Sequence, residues 1–185
     1  MPILEAETSI YPGDLLAGFS QSAGERLWWV VYTKARQEKA LARHLLSREI
    51  PFYLPLVAKE QCIRGRKVHS HIPLFGGYVF LFGSEEERIA SLTSNRISSI
   101  LPVADADLLR EDLLNVQHLI DSDAPLTVER RLSVGERVRV KAGSMQGMEG
   151  VILKRRGKTR MQVAVSFLQQ GVSIEIESFL VEPLR

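Results

Sequence analysis

The sequence of 185 residues has a single cysteine and no apolar run that could cross a membrane. Because Cys62 has no second cysteine to pair with, an internal disulfide is excluded, which fits a reducing compartment. A spanning helix needs roughly 20 consecutive apolar residues, and no stretch approaches that length. The chain also begins without the basic and then apolar segments of a secretion signal. These absences predict a cytoplasmic protein that does not contact a membrane.

Motifs that carry catalysis are missing as well. The sequence has no glycine-rich phosphate loop, no nucleophile elbow and no catalytic pair of carboxylates. Cys62 stands in no nucleophile motif. His69 and His71 are two imidazoles on one side of an extended segment, without further ligands at zinc spacing. The sequence therefore predicts no enzymatic activity, no cofactor and no metal. An enzyme is the third functional hypothesis, and a turnover screen with and without zinc addresses it.

What the chain does have is charge that is segregated along its length. The net charge is only +2, but residues 26–72 hold ten Lys or Arg against three Asp or Glu. Residues 84–129 hold three against ten, and residues 130–185 hold eleven against five. Two basic blocks around an acidic one predict a surface that binds a polyanion. The alternative is that these charges are merely solvated.

The first two thirds of the chain alternate between strand and helix patterns. Residues 1–26 carry scattered Pro and Gly and are predicted to be a flexible extension. The predicted strands are residues 27–33, 52–58, 73–82 and 97–103, and the predicted helices are residues 34–48, a short one after Ser84, and residues 105–120. The polar, basic stretch 59–72 is interpreted as an exposed hairpin or loop. This order predicts an α+β sandwich of ferredoxin-like kind over residues 27–121.

The last third predicts short strands joined by tight turns. Residues 122–133 carry no apolar period and are predicted to be a linker. From Val134 onward, β-branched residues recur with the period of strands, and five short strands fit between Gly135 and Val181. Each glycine in this region would cost a helix about 1 kcal/mol relative to alanine. Residues 134–185 are therefore predicted to form a small barrel that does not convert to a helical state.

Residues 134–153, VGERVRVKAGSMQGMEGVIL, resemble the KOW motif of SH3-like barrels. The stretches WWVVYTKARQEKALARHLL and PLFGGYVFLF are similar to the NGN domain of the NusG family of transcription factors. Within that family, CIRGRKVHSHIPLF lines up with the specialised RfaH-like paralogues without a gap. The resemblance implies a ferredoxin-like NGN α/β sandwich followed by a small SH3-like β-barrel, the KOW domain. It also implies a monomeric factor in transcription elongation and antitermination.

The resemblance further implies how the NGN domain binds its partners. An apolar depression would bind the clamp helices of RNA polymerase and suppress pausing; the matching positions are Tyr32, Phe75, Phe80 and Phe82. The alternative for Phe75 and Phe82 is that they are core residues. The helix after the first strand, with a residue before the last strand, would contact the non-template DNA strand of the transcription bubble; these positions are Lys34, Arg36, Lys39, Arg43, His44, Arg48 and Arg96. The alternative there is a solvated helix face.

For the barrel, the resemblance implies a partner site on the loop after its third strand. The partner would be a small-subunit ribosomal protein or, in housekeeping NusG, the terminator Rho. The predicted residues are Phe167, Leu168 and Ile174. The basic turn at residues 154–160 either tracks RNA or keeps the turn soluble. Two functional alternatives stay open at this point: a housekeeping NusG that acts with Rho, and a KOW-type protein that binds RNA or the ribosome.

Overall fold

The computed structural model describes residues 7–18 and 25–184. Contacts between residues divide the chain into two compact units, with the boundary between Ala106 and Asp107. The boundaries that we predicted for the domains, at residues 26, 121 and 133, stay a prediction.

The first unit is built on a mixed set of helices and strands, as the α+β prediction requires. Its strands are β1 (Ile10–Tyr11), β2 (Leu27–Thr33), β3 (Phe52–Tyr53), β4 (Leu56–Ile63), β5 (Arg66–Pro73), β6 (Tyr78–Gly83) and β7 (Ile97–Pro102). Its helices are α1 (Leu15–Gly18), α2 (Glu38–Ser47) and α3 (Glu85–Leu92). The segment 59–72, interpreted as an exposed hairpin or loop, belongs to the hairpin of β4 and β5.

Five strands of the first unit form one antiparallel sheet in the order β1-β3-β6-β2-β7. Without β1, the spatial order corresponds to chain positions 2-3-1-4, the split β-α-β arrangement of the ferredoxin-like fold. Helix α2 connects β2 to β3, and α3 connects β6 to β7. Strands β4 and β5 pair only with each other and form a separate two-stranded sheet. The α+β prediction is confirmed for this part of the chain.

The core of this unit lies between the sheet and helix α2. Alternate residues of β2, Trp29 and Val31, pack in one cluster with Leu41 and Leu45 of α2. The helix places these leucines one turn apart, as its apolar period predicts. Ser84 caps α3, because its side chain accepts a hydrogen bond from the Glu87 N–H at 3.2 Å and the Glu87 carboxylate accepts one from the Ser84 N–H at 2.8 Å.

Residues 9–16 differ from the flexible extension that we expected over residues 1–26, of which residues 1–6 and 19–24 lie outside the described part of the chain. Strand β1 pairs with β3, with Ile10 opposite Tyr53. The Leu54 N–H donates a hydrogen bond to the Ser9 carbonyl at 2.6 Å. Leu15 and Leu16 of α1 are buried. The sparse apolar residues of this segment were too few to show a period, but they suffice to add an edge strand when a partner strand is already in place.

The second unit consists of a long helix, α4 (Ala106–Asp121), and a six-stranded antiparallel sheet. The strands are β8 (Thr127–Glu129), β9 (Arg137–Val140), β10 (Glu149–Arg155), β11 (Lys158–Val165), β12 (Gln170–Glu175) and β13 (Val181–Pro183). They follow the order β13-β9-β10-β11-β12-β8. The five strands predicted after Gly135 correspond to β9–β13, so the β-rich character of this region is confirmed.

Strand β8 lies inside the segment 122–133 that we predicted to be a linker. It pairs with the edge of β12, with Val128 opposite Val172. The buried carboxylate of Glu129 accepts a hydrogen bond from the Ser173 hydroxyl at 2.7 Å and forms an ion pair with Arg155 at 2.9 Å. Part of the predicted linker is therefore a strand of the sheet. A three-residue strand leaves too short a period for sequence analysis to detect.

Candidate functional site

Tyr32 is exposed near the end of β2, between buried residues of the same strand. Residues 28–31 of β2 are buried, whereas 46% of the Tyr32 surface is accessible. Tyr32 lies opposite Tyr78 of β6 and Ser99 of β7, and the two tyrosine ring centroids are 5.3 Å apart. A tyrosine has an apolar ring and a polar hydroxyl, which suits it to a surface that binds another protein.

The backbone beneath the Tyr32 ring requires a glycine. Gly77 has φ +87°, and a Cβ added there would lie 2.8 Å from the Tyr32 Cε2 atom. The Gly77 carbonyl accepts a hydrogen bond from the Thr33 N–H at 2.8 Å, and the Glu38 carboxylate accepts one from the Gly77 N–H at 2.6 Å. These contacts hold the turn in place, so the ring has a fixed position on the surface.

The other three aromatic residues predicted for the polymerase site are buried. Phe75, Phe80 and Phe82 expose 1%, 0% and 6% of their surface. The rings of Tyr53 and Phe80 stack with centroids 6.4 Å apart, and Trp28 contacts Phe82. The expectation that Phe80 forms an exposed pair with Tyr32 is wrong, because both faces of this sheet are covered at β6. Phe75 and Phe82 are core residues, which was the alternative for them.

Sequence reasoning missed Leu101 as a neighbour of Tyr32. Leu101 lies opposite Val30 on the edge strand β7, and paired residues of neighbouring strands point to the same face. Because side chains alternate along a strand, Leu101 shares the face of Tyr32. Leu101 is 51% exposed. The alternation of β7 contained this signal, but the pairing register of β2 and β7 was needed to use it.

Four of the basic residues predicted to bind DNA gather where α2 meets the turn before β7. The Lys34 N–H donates a hydrogen bond to the Arg96 carbonyl at 2.8 Å, which joins the two segments. The Lys34 ammonium donates to the Asn95 side chain at 2.7 Å, and the Arg96 guanidinium donates to Gln37. We call Lys34, His44, Arg48 and Arg96 the basic cluster. Asn95 and Gln37, which position its cations, carried no signal in the sequence.

The pKa of His44 in the basic cluster is lowered from its ordinary value of 6.5. Burial is the largest cause, and repulsion from the positive charges of Arg48 and Arg96 adds to it; a hydrogen bond with the Ala90 backbone acts in the opposite direction. Within the part of the chain that the structure describes, the His44 Nε2 atom is buried without a hydrogen-bond partner. The imidazole is therefore neutral at physiological pH.

The remaining predicted DNA-binding residues differ in how free their charges are. Arg43 forms an ion pair with Glu7, so its charge is partly neutralised. Arg36 is exposed and has a positive φ of 60°, whereas Lys39 is half-buried on α2. In contrast, no ion pair among the described residues involves Lys34, Arg48 or Arg96. The Ser47 hydroxyl donates to the His44 carbonyl at 2.8 Å and does not add charge to this surface.

The predicted partner site of the C-terminal sheet is only partly on the surface. Phe167 is 37% exposed and Leu168 half-buried, and both lie in a short 3-10 helix, Ser166–Leu168. Ile174 is fully buried on β12, so the expectation that it contacts a partner is wrong. The alternation of apolar residues in this strand distinguishes its two faces, but the sequence did not show which face is buried. The Asp112 carboxylate accepts a hydrogen bond from the Ser166 N–H at 2.7 Å and fixes this short helix to α4.

The described residues form no grouping of three or more His, Cys, Asp or Glu side chains that could hold a metal ion. The His69 Nδ1 and Glu60 Oε1 atoms lie 3.4 Å apart on the hairpin of β4 and β5. Among the helices in residues 7–18 and 25–184, none is long and apolar enough to cross a membrane.

Comparison with known proteins gives one family match and a set of structural similarities. The model of a family described as the transcription termination factor NusG matches residues 26–131. Among solved structures, the chain is similar to a crystal structure of the MjSpt4:Spt5 complex, at 16% sequence identity. That similarity covers 85% of this chain and 97% of the other, with a TM-score of 0.28. At this TM-score, the structural similarity carries no argument of its own, and the assignment rests on the family match.

Proposed function

The chain belongs to the NusG family of transcription factors, and we propose that it is an RfaH-like factor in transcription elongation and antitermination. In this proposal, the first unit binds the clamp helices of RNA polymerase and suppresses pausing. The same unit contacts the single-stranded non-template DNA in the transcription bubble. The protein acts as a monomer without catalysis of its own, and the C-terminal sheet recruits a further partner.

The observation that carries the DNA contact is the basic cluster. Arg48 and Arg96 lie close enough to His44 to repel its charged form, Lys34 is joined to Arg96 by a backbone hydrogen bond, and no carboxylate among the described residues forms an ion pair with these three cations. Burial is the main cause of the lowered pKa of His44, and repulsion from Arg48 and Arg96 adds to it because like charges at close range repel each other. A phosphate backbone supplies the missing counter-charge, and arginine and histidine also stack on unpaired bases. A merely solvated helix face needs no such concentration of unpaired charge.

Tyr32 and Leu101 support the polymerase contact. They form the exposed apolar part of the sheet face that also carries Ser99 and Tyr78. A rigid tyrosine with a neighbouring apolar side chain is typical of an interface centre, because little conformational entropy is lost when a partner covers it. Of the four aromatic residues that the sequence predicted for this contact, the proposed contact therefore keeps only Tyr32.

The polymerase contact is tested by a pull-down of core RNA polymerase with the full chain. We expect Tyr32→Ala to weaken binding at least tenfold, because losing an interface anchor costs about 2 kcal/mol or more. Ile89→Ala is the matched control, because Ile89 is a similarly exposed apolar residue on α3. Equal binding of wild type and Tyr32→Ala would contradict the clamp-helix assignment.

The DNA contact is tested by crosslinking to the non-template strand in an elongation complex. Charge reversal at Lys34, Arg48 and Arg96 should lower the crosslinking yield, and the wild-type yield should fall steeply with salt. An unchanged yield in the triple variant would argue for the solvated helix face.

The exposed ring of Phe167 supports a partner contact by the C-terminal sheet. We propose a small-subunit ribosomal protein, and a pull-down with Phe167→Ala beside wild type tests it. Retention of Rho by the wild-type chain would instead favour the housekeeping alternative.

A further inference from the structure

The strands β4 and β5 are the one pair of strands in the described chain that belongs to neither large sheet. Its register runs from Leu56 opposite Pro73 to Ile63 opposite Arg66, without a break. Eight residues per strand give a ribbon about 26 Å long, at about 3.3 Å per residue. The turn is closed by Arg64 and Gly65, with φ of 51° and 76°, the left-handed pair of a two-residue hairpin turn. We call residues 56–73 the ribbon.

The outer half of the ribbon carries unpaired positive charge. Lys59, Arg64, Arg66 and Lys67 are exposed, and no ion pair among the described residues neutralises them. The one acidic side chain of the ribbon, Glu60, lies 3.4 Å from His69. None of these residues belongs to the basic cluster or to the exposed apolar part of the sheet at Tyr32 and Leu101. The function proposed above therefore gives this charge no role.

The positive charge surrounds the tip on both faces. Side chains alternate along each strand, so Arg66 and Lys59 project from one face and Lys67 from the other, which also carries Glu60 and His69. Arg64 stands at the turn itself. A flat acidic surface of a protein would engage one face of such a ribbon and leave the other in water. A groove with phosphates along both walls would engage both faces.

We propose that the ribbon inserts its tip into a groove of double-stranded DNA. The major groove is about 12 Å wide and admits a two-stranded β-ribbon. The tip cations would neutralise phosphates on both walls, which positions the protein without reading the base sequence. The inference deepens the proposed function, on which it rests for location, since duplex DNA adjoins the single-stranded bubble. The contact itself requires no polymerase.

The test measures binding of the full chain to a synthetic DNA duplex of about two helical turns, by fluorescence anisotropy over a range of salt concentrations. The ribbon variant combines Arg64→Asn, Arg66→Ser and Lys67→Ser. Asparagine is chosen at position 64 because it tolerates a positive φ better than most residues. The control variant removes three exposed cations of the C-terminal sheet and its loops, by Lys141→Ser, Lys154→Ser and Arg156→Asn, with asparagine again at the position of positive φ. Circular dichroism verifies that both variants fold.

We expect the ribbon variant to bind the duplex more weakly than wild type. The slope of log affinity against log salt should become shallower by about 2.7, because each neutralised phosphate contributes about 0.9 to it. The control variant should keep most of the wild-type slope. An unchanged slope in the ribbon variant, or an equal change in the control, overturns the proposal.

The same variants separate this inference from the proposed function. If the ribbon variant loses binding to RNA polymerase but keeps its binding to the duplex, the ribbon contacts an acidic protein surface and the DNA assignment is wrong. If wild type does not bind polymerase, but the ribbon variant loses affinity for the duplex and the control variant does not, the proposed function fails while the duplex contact stands.

Discussion

Replacement by alanine should have opposite effects on stability at the two adjacent glycines Gly76 and Gly77. At Gly77, the φ of +87° costs a residue with a Cβ about 1–2 kcal/mol. The added Cβ would also lie 2.8 Å from the Tyr32 ring, and overpacking of this kind costs about 1–3 kcal/mol. Gly77→Ala should therefore lower the free energy of unfolding of the first unit by about 2–5 kcal/mol. At Gly76, nothing lies within 4 Å of the added atom and φ is outside the left-handed region.

Gly76→Ala should consequently leave the stability unchanged or raise it by about 0.4–1 kcal/mol, because alanine restricts the unfolded chain. Urea unfolding of the full chain followed by tryptophan fluorescence measures both effects. The two tryptophans of the sequence, Trp28 and Trp29, are both buried in β2, so the signal reports on the first unit alone. With an m-value of about 2 kcal/mol/M, the midpoint for Gly77→Ala should fall by about 1 M or more.

A double-mutant cycle separates the two costs at Gly77. In the background of Tyr32→Ala, the collision with the ring is absent, and only the cost of the positive φ remains. Gly77→Ala should then be less destabilising by about 1–3 kcal/mol than in the wild-type background. Equal midpoints for Gly76→Ala and Gly77→Ala would refute the reasoning, because they would mean that neither the backbone conformation nor the ring contact has the stated consequence.

Two further predictions concern buried polar groups. Glu129→Ala should destabilise the C-terminal sheet by about 1–3 kcal/mol because the buried Ser173 O–H loses its acceptor, although the Ser173 oxygen still accepts a hydrogen bond from Arg160. Glu175→Ala breaks an exposed pair with Lys158 and should have little effect. Hydrogen exchange of the β11 and β12 amides measures both effects, and equal protection in the two variants would contradict the role of β8. The His44 pKa should lie below 6.5 by NMR titration and rise in Arg48→Gln. The imidazole of the unfolded chain has a higher pKa than that of the folded chain, so it takes up a proton at higher pH. His44 should therefore lower the free energy of unfolding as the pH falls from about 6.5 through the folded-state pKa. A folded-state pKa at or above 6.5 would contradict this prediction.

The sequence alone determined several helices and strands of this protein, among them β2, α2 and the start of α3. The aromatic and β-branched run of residues 28–33 predicted β2, and the helical spacing that includes Leu41 and Leu45 predicted α2. Ser84, with Glu87 three residues later, predicted the start of α3. These features depend on residues close together in the chain, so local patterns suffice to predict them.

Only the tertiary structure decided which aromatic and apolar residues are exposed. Tyr32 and Phe80 both lie in strands whose patterns predict a sheet, yet one is at the surface and the other fully buried. Ile174 has the same alternation as a surface strand and is nevertheless in the core. A period of two identifies two faces of a strand, but whether each face is covered depends on segments far away in the sequence.

The same distinction applies to the charged residues. Counting Lys and Arg along the chain predicted a polyanion surface, but the sequence could not separate Arg43, which pairs with Glu7, from Lys34 and Arg96, which form no ion pair among the described residues. Nor could it foresee that β8 would pair with β12 or that β4 and β5 would form a ribbon of their own. Composition fixes how many charges and strands a chain can offer. Long-range pairing decides which charges are neutralised and which strands remain free, because those contacts join residues that are distant along the chain and close only after folding.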